Sequence, residues 1–163
     1  MEAVIFVGIQ AAGKSTFYRE RFFDTHVRIN LDMLRTRRRE RLLLEACIEG
    51  KQRFVVDNTC ATVEERARYL APALAARFTA VAYFFEPDPR GSVARNAARA
   101  RQIPARGIFG TLKRLEPPHP RRGLPPHTPR PPPRRLVRRG GTGLTQRHGG
   151  TEISSSPCLC VSV

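Results

Sequence analysis

The stretch Gly8-Ile9-Gln10-Ala11-Ala12-Gly13-Lys14-Ser15-Thr16 limits what this chain can fold into more than any other segment. It fits G-x-x-x-x-G-K-[ST], the spacing of a phosphate-binding (Walker A) loop. The apolar run Ala3-Val4-Ile5-Phe6-Val7 precedes it and reads as a buried parallel strand. Residues 15–23 follow as an amphipathic helix. Strand, loop and helix in that order are the context in which the motif binds phosphate.

The spacing has a chemical reason. Glycines let the backbone curl until several N–H groups converge on one anion. The next helix adds the positive end of its dipole. Lys14 can then reach the β- and γ-phosphates of ATP, and the Ser15 hydroxyl can ligate Mg²⁺. Gly8, Ile9, Gln10, Ala11, Ala12, Gly13, Lys14, Ser15 and Thr16 are the expected nucleotide-binding set.

Further strands alternate with helices. Val27–Asn30, Arg53–Asp57 and Phe78–Phe85 read as strands. Asp32 to about Glu49 reads as one long helix, with Leu34, Leu42, Leu43, Ala46 and Cys47 on its buried side and Gly50 as its stop. Thr62-Val63-Glu64-Glu65 is a capping box opening another helix, in which Pro72 is an interruption or a boundary. Gly91 to Ala100 and Ile108 to Leu115 complete the helices. The alternation implies a parallel sheet with helices on both faces, whose ligands sit beyond the carboxyl ends of the strands.

Three features join the loop there. Asp32 follows the second strand, where a carboxylate facing the γ-phosphate can take the proton of an attacking hydroxyl; the alternative is a simple helix cap. Arg35, three residues on, shares its expected helical face and can hold Asp32 or the acceptor. Asp57 ends the third strand and is the expected second Mg²⁺ partner beside Ser15, with a turn-forming role as the alternative. Arg95 and Arg99 lie one helical turn apart and can close over the transferring phosphoryl group, unless they only decorate the surface.

Taken together, these residues resemble the kinase domain of polynucleotide 5′-hydroxyl kinases and their stand-alone bacterial P-loop relatives, often labelled AAA-family ATPases. The resemblance runs from Ala3 to about Pro118. It rests on the loop, Asn30-x-Asp32-x-x-Arg35, Val56-Asp57-Asn58-Thr59, Arg66-Ala67-Arg68-Tyr69, Ala94-Arg95-Asn96 and Leu112–Pro118. Zeta-type kinases share a similar loop and aspartate. The resemblance implies a three-layer α/β kinase fold with strand order 2-3-1-4-5. It implies ATP and Mg²⁺ on Lys14 and Ser15, Asp32 as general base, Arg35 on the acceptor, and Arg95 with Arg99 as a lid. The favoured acceptor is a nucleic acid 5′-OH, DNA or RNA. A small molecule or nucleotide sugar, or no acceptor at all in a regulatory ATPase, are the alternatives.

The chain also departs from that family. Gln10-Ala11-Ala12 replaces a proline- and glycine-richer loop, and the alanines are expected at negative φ. Cys60 stands where relatives often carry Asn. Beyond Pro118 the family continues with an acidic turn and a last strand, whereas this chain turns Pro-Arg-rich. Pro118-His119-Pro120-Arg121-Arg122-Gly123-Leu124 can be encoded by codons that, read one base later, give a family-like Pro-Thr-Leu-Ala-Glu-Gly, so a frameshift at about Pro117–Pro118 is the expected origin; a lineage-specific extension is the alternative.

Composition divides the chain at the same place. All 9 Phe and 3 Tyr of the 163 residues lie within 1–116, while most of the 14 prolines lie in 117–163. The expectation is a kinase domain over 1–116, a disordered tail over 117–163, and a sheet of order 2-3-1-4 lacking its fifth strand. The net charge of +15 favours polyanionic partners, with Arg-rich codon usage as the alternative cause. Four cysteines form no disulfide framework, and Cys158-x-Cys160 is half a metal site. Neither a membrane span nor a signal peptide is legible, so a cytoplasmic location is expected.

Overall fold

A computed structural model of the chain describes residues 1–100 and 102–118, with the backbone of 158–162. The elements in chain order are β1 (Glu2–Val7), α1 (Lys14–Arg21), β2 (Val27–Ile29), α2 (Leu31–Leu34), α3 (Arg37–Glu49), β3 (Phe54–Val56), α4 (Val63–Ala75), β4 (Thr79–Phe85), α5 (Pro89–Ala97), α6 (Ala105–Lys113) and β5 (Cys158–Ser162). β1 is parallel to both β3 and β4, and β2 is parallel to β3, which gives the expected order 2-3-1-4.

Strand β1 is central because it is apolar on both faces. Ala3 to Val7 are each at most 1% exposed. Side chains alternate along a strand. Ala3, Ile5 and Val7 therefore join the core under α3 and α4, with Leu44, Cys47, Leu70 and Ala73. Val4 and Phe6 join the other core with Tyr18, Phe22 and Ile108, under α1 and α6. Phe6, Phe17, Phe22, Tyr83 and Phe85 interlock there, with ring centroids 5.2–6.0 Å apart. The result is a three-layer sandwich with the carboxyl ends of β1, β2 and β3 side by side.

Several expectations need correction. A fifth strand is present: β5 pairs antiparallel with β4, Phe85 opposite Cys158 and Val81 opposite Ser162. An uncovered β4 would present a row of unpaired backbone groups, and Cys158-Leu159-Cys160-Val161 is a short apolar segment able to pair with them. The expected disorder of the Pro-Arg stretch and the frameshift segment beyond Pro118 lie outside the described residues.

The long helix is two. Arg35 adopts φ 70° and closes α2, and Thr36 then caps α3 by accepting from Arg39 N at 3.3 Å. The break resets the helical phase. Glu40, Leu44 and Cys47 are the buried stripe of α3, while Leu42 and Ala46 are exposed. The helix ends in a Schellman turn, Gln52 N to Cys47 O and Lys51 N to Ile48 O. Its left-handed residue is Lys51, at φ 50°, and not Gly50. Thr62 caps α4 as expected, but Glu65 reaches back to Ala61 N at 2.8 Å instead of to Thr62. Pro72 does not break α4, which runs on to Ala75. Among the described residues no helix is long and apolar enough to cross a membrane.

Candidate active site

The loop between β1 and α1 is held from three sides. Gly8 N donates to Thr59 O at 3.0 Å, tying it to the segment after β3. Gln10 Nε2 donates to Thr111 Oγ1 on α6 at 2.8 Å, and Arg95 Nε donates to Ala11 O at 2.8 Å. Gly8 is required by close approach, since a Cβ there would lie 2.9 Å from Phe85 Cβ. Gly13 is required by its φ of 92°. Ala11 corrects the sequence expectation: its φ is 59°, in the left-handed region, where an alanine costs on the order of 1 kcal/mol. Helix α1 begins with no side-chain cap and no acidic residue in its first turn. Its N-terminal N–H groups are thereby left to an anion.

Lys14 is buried against the loop, its Nζ donating to Gly8 O at 2.9 Å and to Ile9 O. Burial lowers its pKa to about 8 against the pull of Asp57, and nearby Arg99 lowers it further. Phosphates favour the charged form, so nucleotide binding should take up about one proton above that pH and none well below it. Nucleotide affinity is expected to fall as pH rises through about 8. Calorimetry in buffers of different ionisation heat checks this, and Lys14→Met should abolish the uptake.

Ser15 and Asp57 meet as expected, Ser15 Oγ donating to Asp57 Oδ2 at 2.8 Å. Arg28 joins them from β2, with Nε 2.9 Å from Asp57 Oδ2. Hard oxygen donors side by side, one a buried carboxylate, are the chemistry that suits Mg²⁺. Ser15 and Asp57 thus fit the ion the loop implies.

Asp32 stands in the second position of α2 and lines the same cleft of about 400 Å³ as the loop. Among the described residues no hydrogen bond or ion pair engages its carboxylate. The cap of α2 is Asn30, whose Oδ1 accepts from Met33 N at 3.0 Å. Asn30 Nδ2 also donates to Asp57 O, and Leu31 N donates to Asn58 Oδ1 at 2.9 Å. Those bonds fix α2 to the end of β3 and aim it at the loop.

The arginines are distributed otherwise than the sequence suggests. Arg35 is exposed and outside the cleft lining, because its positive φ turns it off α2. Arg37 lines the cleft instead. Arg95 and Arg99 are not a pair on one helical face, because α5 ends at Ala97. Arg95 braces the loop at Ala11 and contacts Asp88 at 3.4 Å, whereas Arg99 lines the cleft. Asn96 positions that turn by two hydrogen bonds, Nδ2 donating to Ile103 O at 2.8 Å and Oδ1 accepting from Ile103 N at 3.0 Å. Cys60 also lines the cleft, at φ 43°; burial pushes its thiol up to about 12 and leaves it a protonated packing group. Arg66 is structural, donating to Cys60 O, Ala61 O and Glu116 O at 2.9–3.2 Å.

Two contributors escaped the sequence reading. Arg28 interrupts the apolar β2 between Val27 and Ile29, a signal that an inward-facing charge has a partner. Glu40 sits at the i, i+4, i+7 spacing of Leu44 and Cys47, a carboxylate on a buried stripe. Its Oε1 accepts from Asn58 Nδ2 and Tyr69 OH, both at 2.8 Å, and its Oε2 pairs with Arg37 at 2.7 Å.

A family model described as an AAA domain matches residues 4–118, the span holding the loop, Asp32, Asp57 and Arg99. The chain belongs to this family. The AAA domain here is similar in fold to the crystal structure of a gluconokinase from Sinorhizobium meliloti 1021. The TM-score is 0.51 and the identity 17%, over 75% of this chain and 77% of that one. The fold is that of a P-loop NTPase of kinase type, with the parallel strands in the order 2-3-1-4.

Proposed function

We propose that the protein transfers the γ-phosphate of ATP to a hydroxyl, and that the favoured acceptor is a 5′-OH of DNA or RNA. The observation that carries the transfer is the unengaged Asp32 carboxylate, in one cleft with the phosphate loop, while Asn30 does the capping. Asp32 takes the acceptor proton as the hydroxyl attacks. Lys14 turns from the loop carbonyls to the phosphates, and Arg99 and Arg37 face the charge that spreads over the moving group. Ser15 and Asp57, 2.8 Å apart, would hold Mg²⁺. When bound, the ion neutralises phosphate charge.

Support for a polyanionic acceptor comes from a second cavity of about 480 Å³ that shares Arg37, Arg68 and Tyr69 with the first. Arg38 and Arg41 also line it. Four guanidinium groups around that cavity, with Glu40 among them, suit the phosphates behind a 5′-OH. The similarity to a gluconokinase keeps a small hydroxylated acceptor as the second reading.

A transfer screen with γ-labelled ATP decides between them. It offers 5′-OH DNA, 5′-OH RNA, nucleosides, gluconate and nucleotide sugars side by side. Label on the oligonucleotides is the expected result; label on small acceptors alone overturns the favoured substrate. ATP hydrolysis with no labelled acceptor among them counts against both.

A further inference from the structure

Arg28 reaches into the loop from β2 and holds both of its metal-type oxygens. Nε lies 2.9 Å from Asp57 Oδ2, Nη2 donates to the same oxygen, and Nη2 also donates to Ser15 Oγ at 3.0 Å. The Asp57 side chain is 1% exposed and that of Arg28 27% exposed. A buried carboxylate is therefore balanced by a cation that enters from the surface.

Ser15 Oγ has one proton and two lone pairs. The proton goes to Asp57 and Arg28 takes a lone pair. A divalent cation needs a lone pair of that same hydroxyl, at about 2.1 Å. It would then share one oxygen with a guanidinium of like charge. Holding both cations on that one oxygen costs like-charge repulsion, screened only in part because the Asp57 side chain is 1% exposed and that of Arg28 27% exposed.

We propose that Arg28 is an internal counter-cation that closes the Ser15–Asp57 pair, and that a divalent cation arriving with nucleotide displaces it. This rests on the reading of Ser15 and Asp57 as the Mg²⁺ pair. The displaced guanidinium has a seat. It already lies 5.4 Å from the centroid of the Tyr18 ring, and Tyr18 OH fixes that ring by donating to His26 O at 3.0 Å. Arg28 thereby sets how much metal the loop requires: with it in place, metal entry is a competition and not a simple filling.

Mn²⁺ titrations followed by electron paramagnetic resonance, with ADP present, test this on the full chain and on Arg28→Gln. The variant should bind Mn²⁺ roughly tenfold more tightly. Arg28→Lys, which keeps the charge but cannot span both oxygens, should fall between. Equal or weaker Mn²⁺ affinity in folded Arg28→Gln overturns the displacement. No Mn²⁺ binding to either protein overturns the Ser15–Asp57 reading and the proposal with it. If the variant does not fold, the unaltered protein answers through the Arg28 Nε–H resonance. It should be protected from exchange without metal and lose protection with Mg·ADP. Protection retained at saturating Mg·ADP overturns the proposal.

Discussion

Asp32→Asn should lower phosphoryl transfer by about 10²–10⁴-fold while leaving ATP affinity within about twofold. Both halves of that expectation come from the geometry. The carboxylate has no bond to the loop and none to any other described group, so its replacement removes no support from the nucleotide site. An amide of the same shape keeps the helix α2 intact, because Asn30 and not Asp32 supplies the cap. What the amide lacks is a place for the acceptor proton. The loss therefore falls on kcat with the KM for ATP little changed. The residual ATP hydrolysis, which needs no acceptor hydroxyl, should fall less than the transfer. Nucleotide affinity measured by calorimetry, beside transfer rates on the acceptor found in the screen, checks the expectation. Transfer comparable to that of the unaltered protein would remove Asp32 from the mechanism and leave a nucleotide-binding ATPase as the better reading.

The parallel part of the sheet was legible because each strand announces itself locally. β1, β3 and β4 are apolar runs ended by glycine, an Asp-Asn pair and a proline turn. The phosphate loop was legible for the same reason: its constraints lie within nine consecutive residues. Long-range partnerships were not. Arg35 was expected on the face of Asp32 because helical periodicity continues through it, and nothing local predicts a positive φ at an arginine. Tertiary anchoring imposed it: Leu31 is fixed to Asn58 and Asn30 to Asp57, so α2 must stop before α3 can take its own direction. The separation of Arg95 from Arg99 has the same origin, since the Asn96–Ile103 clasp ends α5 one turn early. β5 was missed because its partner strand lies far away in sequence, Cys158 opposite Phe85 and Ser162 opposite Val81, and its few apolar residues carry no turn signal that points to β4.

Glu40→Ala should be the most damaging substitution outside the loop, for reasons of both stability and placement. Glu40 is 4% exposed, yet it is a charge, and it is tolerated because three donors converge on it from three elements. Arg37 comes from its own helix at 2.7 Å, Tyr69 from α4 at 2.8 Å and Asn58 from the end of β3 at 2.8 Å. Burial raises the Tyr69 phenol above its ordinary value, with the Glu40 charge and hydrogen bond adding to the effect, so the phenol stays a donor. Truncation strands the Tyr69 hydroxyl proton beside a cavity and leaves Arg37 and Asn58 only the Tyr69 oxygen, at 3.1 Å each. Arg37 is half-exposed and recovers water, so the cost is less than for a sealed ion pair. About 3 kcal/mol is expected, or a fall in Tm of about 6–12 °C for a domain of this size. Asn58 is also the link to function, since its Oδ1 holds Leu31 N beside Asp32. Asn58 Nδ2 then keeps only its bond to Tyr69 OH at 3.1 Å, so the side chain is held less firmly and the α2 anchor loosens. Transfer should therefore slow even well below the lowered Tm, with nucleotide affinity preserved because the phosphate loop shares no bond with Glu40. Glu40→Gln keeps an acceptor for Tyr69 or Asn58 but sets an amide N–H₂ against the remaining donors, and should cost about half as much. Thermal melts paired with transfer rates on the three proteins separate the two roles. An unchanged rate in a destabilised Glu40→Ala would leave Glu40 a structural residue only, and would mean that Asn30 alone holds the base in place.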